Sequence, residues 1–252
     1  MMPLAAAYSL LPSYEAERLQ ALYHCDVMPT QQEPIFDELV QLSAQVFNLP
    51  ISLIALVDAD EVAYKANQGL PGLLQQPREE AICAMVVTQR TPLVFTNLTK
   101  PDQLQRLTTR ASAAAQAKGL QFYAGAPLNT PIRYFIGTLC VIGNQPRSFG
   151  DEEQQLLERL AGLVSELITI RHVCLTHQKV TSRERWQVIQ ALITTEVQQI
   201  GVLVHYLLAQ FGDKMPVPPG VLKPVSRRLD DLHLLLQKHH PGPIWYTPAA
   251  VA

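Results

Sequence analysis

No run of roughly eighteen consecutive apolar residues occurs in this 252-residue chain, so the sequence predicts no membrane-spanning helix and no membrane partner. Positive charge is not in surplus: 20 Lys and Arg stand against 22 Asp and Glu, a net charge of -2. The basic footprint that nucleic-acid binding needs is therefore missing. Cysteine is scarce. Cys25, Cys83, Cys140 and Cys174 show no CxxC spacing, which argues against a zinc site and against a disulfide framework. A reducing, cytoplasmic compartment is the expectation. Charged residues are also few, at 17% against 48% hydrophobic, so some apolar faces are expected to be covered by a partner. The start, MMPLAAAYSLLPSYEAERL, lacks a basic leader region and is broken by Pro3 and Pro12; it reads as a short docking arm. No spacing of nucleophiles, acids and bases forms a catalytic constellation.

What is present centres on Phe122 to Gly143. Two apolar strands are joined by a turn carrying Asn129, Thr130 and Pro131. The second strand, Phe135 to Ile142, is too continuously apolar to have a wet face. Gly137 within it marks a bend or the close approach of another backbone. The small residues Ala124, Gly125, Ala126 and Gly137 leave room for a helix or a ligand against the sheet.

Around this hairpin the spacing predicts a mixed α+β domain over residues 13–175. A short helix spans Glu15 to Leu22. A second opens at Glu33-Pro34, with Ile35, Phe36, Leu39, Leu42, Val46 and Phe47 at helical spacing. Ile51 to Val57 and Val62 to Gln68 form a hairpin, with Asp58 and Asp60 as turn residues that bond local amides. Gly69 to Pro77 reads as loop, Ala81 to Gln89 as a helix, and Leu93 to Phe95 as a strand. Lys100 to Gly119 reads as one or two loosely packed helices. A long closing helix carries Leu156, Leu160, Leu163, Leu167 and Ile170 on one stripe, with His172 and His177 near its end as groups that could titrate.

This order resembles the bacterial GAF domain family, and the resemblance rests on several segments. PISLIALVDADEVAYKANQGL is similar to that family's first hairpin, PLVFTNLTKPD to its next strand and turn, and FYAGAPLNTP with GTLCVIG to its central hairpin. SFGDEEQQLLERLAGLVSEL is similar to its closing helix. The resemblance implies a GAF-like central antiparallel sheet flanked by helices, with a small-molecule pocket, in a sensor or dimerisation module. Pocket candidates are Tyr64, Cys83, Met85, Phe95, Tyr123 and Cys140. Met85 stands where the family commonly has His, and it neither titrates nor ligates as imidazole does. The asparagine-lysine-aspartate pattern of cyclic-nucleotide-binding members has no match, and Lys100 to Gly119 offers no Cys for a bilin. The sequence therefore names no cofactor. Some relatives reduce free methionine sulfoxide with clustered cysteines; here Cys83 and Cys140 fall on separate elements, with no resolving pair evident.

Residues 176–242 read as an all-helical αα-hairpin, with residues 1–12 and 243–252 as tails. Trp186, Ile189, Ile193, Val197, Ile200, Val204 and Leu207 form a coiled-coil-type seam, answered by Leu229, Leu232 and Leu236 across the GDKMPVPPG loop. Leu192, Leu203 and Leu208 lie off this seam and leave a second apolar face. The two helices are expected to bury their faces against each other. With these seam residues as its dimerisation set and its spare apolar surface, the hairpin is expected to pair with a second copy as a four-helix bundle, giving a homodimer. The cadence of ERWQVIQALITTEVQQIGVLV resembles a histidine-kinase dimerisation hairpin, but Ile193-Thr194 or Thr194-Thr195 stands where the phosphoacceptor pair belongs. The expectation is a sensory or regulatory module of bacterial signal transduction, without enzymatic output of its own, that binds a small molecule and docks a kinase or response regulator. The alternatives are a scaffold with an empty pocket and a GAF-type methionine sulfoxide reductase.

Overall fold

The computed structural model describes residues 13–28, 33–176, 180–212 and 216–239. The expected docking arm, the C-terminal tail and His177 lie outside these residues. The fold expectation holds. Six strands form one antiparallel sheet in the order β3-β2-β1-β6-β5-β4. They are β1 (Ile51–Val57), β2 (Glu61–Gln68), β3 (Gln75–Pro77), β4 (Leu93–Phe95), β5 (Phe122–Asn129) and β6 (Phe135–Gly143). The helices are α1 (Glu15–His24), α2 (Pro34–Val46), α3 (Ile82–Gln89), α4 (Pro101–Leu104), α5 (Thr109–Ala117), α6 (Asp151–Thr176), α7 (Val180–Phe211) and α8 (Pro219–Gln237).

β1 and β6 are buried on both faces, which is why neither shows polar alternation. Period two then sorts their side chains between two cores. Ile54, Leu56, Leu139 and Val141 face a core built with α2, α6, α7 and α8. Leu53, Ala55, Cys140 and Ile142 face a smaller core with α3 and α5. At Gly137 the reason is close approach: a Cβ there would run into the carbonyl oxygen of Ala55 on the neighbouring strand. The stretch expected to be loop from Gly69 to Pro77 ends in β3, paired to the outer edge of β2. Its polar QQP sequence carries no strand pattern, because an exposed edge strand buries nothing that would impose one.

Buried ion pairs lock the elements in register, and periodicity gives no sign of them. Glu33 accepts from Lys65 Nζ at 2.6 Å and Arg171 Nε at 2.7 Å, joining the start of α2 to β2 and α6. Arg171 also donates to the Asp26 carbonyl at 2.6 Å. Burial by itself raises the Glu33 carboxyl, but the hydrogen bonds and charges of Lys65 and Arg171 outweigh it and hold the group below its ordinary range. Arg18, fully buried, donates to the Val57 carbonyl at 2.7 Å and to Glu15, fixing α1 on the end of β1.

The hairpin α7–α8 does not stand apart from the sheet. Trp186, Ile189, Ile193, Val197, Ile200, Val204, Leu207, Leu229, Leu232 and Leu236, expected to meet a second copy, are all buried within the chain, and none is more than 8% exposed. They share one continuous core with Phe36 and Leu39 of α2 and Leu163 and Leu167 of α6. The physical reason is proximity. A short connection after α6 brings the seam onto an apolar helical surface of the same chain, where no second molecule has to be ordered. Gly201 helps, since a Cβ there would already lie 3.1 Å from the Gln45 amide oxygen of α2. Ser182–Phe211 is by length and composition apolar enough to cross a membrane; one face of it is packed into this core.

Candidate functional site

The site is built where α3 and α5 cover the sheet on the face opposite the helical bundle. Its small cavity, about 30 Å³, is lined by Tyr64 of β2, Cys83 of α3, Tyr123 of β5 and Leu53 of β1. Gln76, Glu80 and Lys118 contribute a polar rim. Cys83 is the second residue of α3 and is placed there by the sheet itself: Thr138 Oγ1 on β6 donates to the Cys83 carbonyl at 3.1 Å. The Tyr123 hydroxyl donates to Cys83 Sγ at 3.5 Å. The ring reaches across Gly125, where a Cβ would lie 2.5 Å from that hydroxyl oxygen, so the small residue makes room for the protein's own tyrosine.

Cys140 stands behind Cys83, between Leu53 and Gly125 in the strand register, with its sulfur 3.8 Å from Cys83 Sγ. The sequence expectation that these cysteines make no pair is corrected. A helix start and a central strand, separated by 57 positions, meet because the Thr138 hydroxyl fastens one to the other. The two thiols differ. The hydrogen bond with Cys140 draws the Cys83 thiol down; burial opposes it, and the Tyr123 hydroxyl adds to the lowering. The same bond and burial push Cys140 well above its ordinary value. Burial drives both tyrosine hydroxyls, Tyr64 and Tyr123, upward as well.

Of the six expected pocket residues, Tyr64, Cys83 and Tyr123 reach the cavity and Cys140 lies directly behind it. Met85 is buried in the α3 core and is not part of the wall. Phe95 sits one layer back, edge-on to Tyr123 at 6.3 Å and beneath the Arg106 guanidinium at 4.6 Å. The polar rim escaped the sequence reading because Gln76 and Lys118 fall in stretches without periodicity. Asp58 is confirmed as a turn residue, accepting from the Ala59 amide at 2.7 Å. A second, wider groove of about 330 Å³ runs between α2 and α7, past Glu38, Gln45, Gln198 and His205. No cluster of three or more His, Cys, Asp or Glu that could hold a metal ion occurs among the described residues.

Among solved structures, the GAF domain of an Acinetobacter phosphoenolpyruvate-protein phosphotransferase is similar at 18% identity, with TM-score 0.46, over 65% of this chain and 98% of that one. A type II free methionine-R-sulfoxide reductase from Thermoplasma acidophilum is similar at 11% identity and TM-score 0.45, over 54% of this chain and 92% of that one. A curated relative from Pseudomonas aeruginosa, named a cyclic di-GMP phosphodiesterase, is 27% identical over 155 residues, 61% of this chain. The chain spans a quarter of that relative's length. The relative's name is that of an enzyme, and it overturns the expectation of a module without enzymatic output. The GAF domain model matches residues 32–168, more than half of the sequence, and ends before the hairpin, whose kinase likeness gains no support from it. From β1 through most of α6, therefore, sequence match and six-stranded sheet coincide, and the chain belongs to the GAF domain family.

Proposed function

We propose that the chain is a sensory module of bacterial signal transduction that takes a small molecule at the Cys83 cavity and reports it to the helices across the sheet. The observation that carries this reading is the sheet shared by the two cores. Along β6, Cys140 and Ile142 face the cavity side while Leu139 and Val141 face the helical core. On β5, the Asn129 amide donates to Ser165 Oγ of α6 at 3.1 Å, so a shift of the central strands is felt by the closing helix. A ligand biases this joint by binding two arrangements unequally. Tyr64, Cys83 and Tyr123 would contact it; Cys140, Met85 and Phe95 would support them.

The relative named a cyclic di-GMP phosphodiesterase supports a place in second-messenger signalling, with enzymatic output in an enzyme joined to the module or docked on it. A kinase or response regulator is the other class of partner in this reading, a homodimer is its assembly, and the cytoplasm its compartment. A scaffold that binds nothing is the second reading, and the cavity's 30 Å³ favours it, since drug-sized ligands occupy sites of about 300 Å³ or more. A larger ligand has to displace the Lys118 and Gln76 side chains.

Native mass spectrometry of the freshly purified chain, followed by denaturing extraction, decides between the two. A small molecule retained at one per chain is the expected outcome. A chain that is empty and gains no thermal stability from cyclic di-GMP or other nucleotides would sink the sensory reading in favour of the scaffold.

A further inference from the structure

We propose that Cys83 and Cys140 form a reversible disulfide when a small hydroperoxide enters the cavity, which makes this face of the sheet a thiol oxidation site. The inference goes beyond the sensory reading, because the chemistry holds whether or not oxidation is signalled onward.

Four observations lead to it. The sulfurs stand 3.8 Å apart, and a disulfide of about 2.05 Å needs a closure of about 1.8 Å, shared between rotations about the two Cα–Cβ bonds. Thr138 holds the first turn of α3 to β6, so the pair cannot drift apart without breaking that bond. The two cysteines are placed for different roles: Cys83 lines the cavity, whereas Cys140 is fully buried behind it. Finally, the cavity of about 30 Å³ suits a guest the size of water or hydrogen peroxide and excludes bulky oxidants.

Polarity supports the assignment of roles. Cys83 lies in the first turn of a helix, where the backbone N–H groups favour an anion, and it receives the Tyr123 hydroxyl. The Lys118 ammonium on the rim acts on it in the same direction. The remaining cysteines are protected: burial pushes Cys25 up to about 12, with its thiol donated to the Ala21 carbonyl at 3.0 Å, and burial also raises Cys174.

The electrons balance in two steps. The Cys83 thiolate attacks the hydroperoxide; the O–O bond breaks, an S–O bond forms, and the alkoxide or hydroxide leaves and takes a proton as alcohol or water. The Cys140 sulfur then displaces hydroxide from the Cys83 sulfenic acid, its own proton completing a second water. The hydroperoxide is reduced by two electrons and the two thiols are oxidised by two. A dithiol resets the pair by exchange when local opening of α3 from the sheet exposes the disulfide.

The test uses the full, freshly reduced chain treated with hydrogen peroxide, quenched by alkylation, and read by intact mass and peptide mapping. The expected result is a loss of about 2 Da, a peptide bridging Cys83 and Cys140, and reversal by dithiothreitol, with Cys25 and Cys174 still free. In Cys140→Ser, Cys83 stops at the sulfenic acid, a gain of about 16 Da that dimedone traps; in Cys83→Ser, Cys140 stays reduced. Three results would overturn the proposal: Cys25 or Cys174 oxidised as fast as Cys83, Cys83 passing to sulfinic acid without a bridge, or no oxidation while the fold persists. Were the serine variants to unfold, as circular dichroism would show, the wild-type bridge map alone decides. A ligand retained in native mass spectrometry without any bridge sinks this inference and leaves the sensory reading standing.

Discussion

His172 is where the sequence suggested a group that titrates at a signalling joint, and the structure gives it a different task. Its ring is buried against that of His24, centroids 4.5 Å apart. Burial first, and the neighbouring His24 second, lower its pKa to about 4. The folded chain therefore keeps His172 neutral at physiological pH, while the unfolded chain protonates it near the ordinary histidine value of about 6.5. Its contribution to stability is complete above that value and is lost as pH falls from about 6.5 towards 4, because the unfolded state binds the proton first. Denaturant melts of the wild type and His172→Asn across that window should show a steeper acid loss in the wild type. Parallel curves would remove the histidine from the acid response. The letter H at position 172 marks a titratable residue; only the packing of α1 on α6 says that it does not titrate in use.

At the scale of elements, the seam of α7 shows what periodicity can and cannot tell. Trp186, Ile189, Ile193 and Val197 were legible as a buried helical face, and they are one. What covers them was not legible, because an apolar stripe specifies burial without specifying a partner. α2 supplied the cover, with α6 and α8 beside it and Gln198 donating to Glu38 at 2.7 Å across the edge of the α2 contact. Between α6 and α8, Arg159 meets Asp230 at 2.6 Å and Glu166 meets His233 at 2.9 Å. These pairs are largely exposed and set alignment more than stability. Ile193→Ala should cost about 2–5 kcal/mol. Because the core is shared, it should also weaken amide exchange protection in β5 and β6. Protection in those strands unchanged from the wild type would make the hairpin an independent unit, as its sequence cadence suggests.

On the scale of the whole molecule, inward use of the seam leaves the outward face of α7 to any self-association. Val188, Leu192, Val202 and Tyr206 lie there, exposed by 66%, 38%, 72% and 58%. With Thr195 and Gln199 they recur at alternating four- and three-residue steps, the spacing that meets its own copy in a two-stranded coil. Leu203 and Leu208, expected on this free face, are instead half-buried against the core. Light scattering coupled to size exclusion should give a dimer for the wild type and a monomer for Val202→Glu. A wild type that is monomeric at micromolar concentration, or a variant that still dimerises, would move association away from this face.

The sequence by itself determined the unbroken apolar runs that build β1 and β6, the turn at Asp58, the helical stripes of α2, α6 and α7, and with them the GAF-like sheet. These are local patterns, each set by whether neighbouring residues share a buried face, and a short window of residues holds the whole signal. The tertiary structure alone decided which distant surfaces meet. It placed Cys83 against Cys140, drew Glu33 between Lys65 and Arg171, folded the α7 seam onto α2, and brought Gln76 and Lys118 to the cavity rim. Each of those contacts joins residues far apart along the chain, and their formation depends on the packing of the whole rather than on any pattern within one segment.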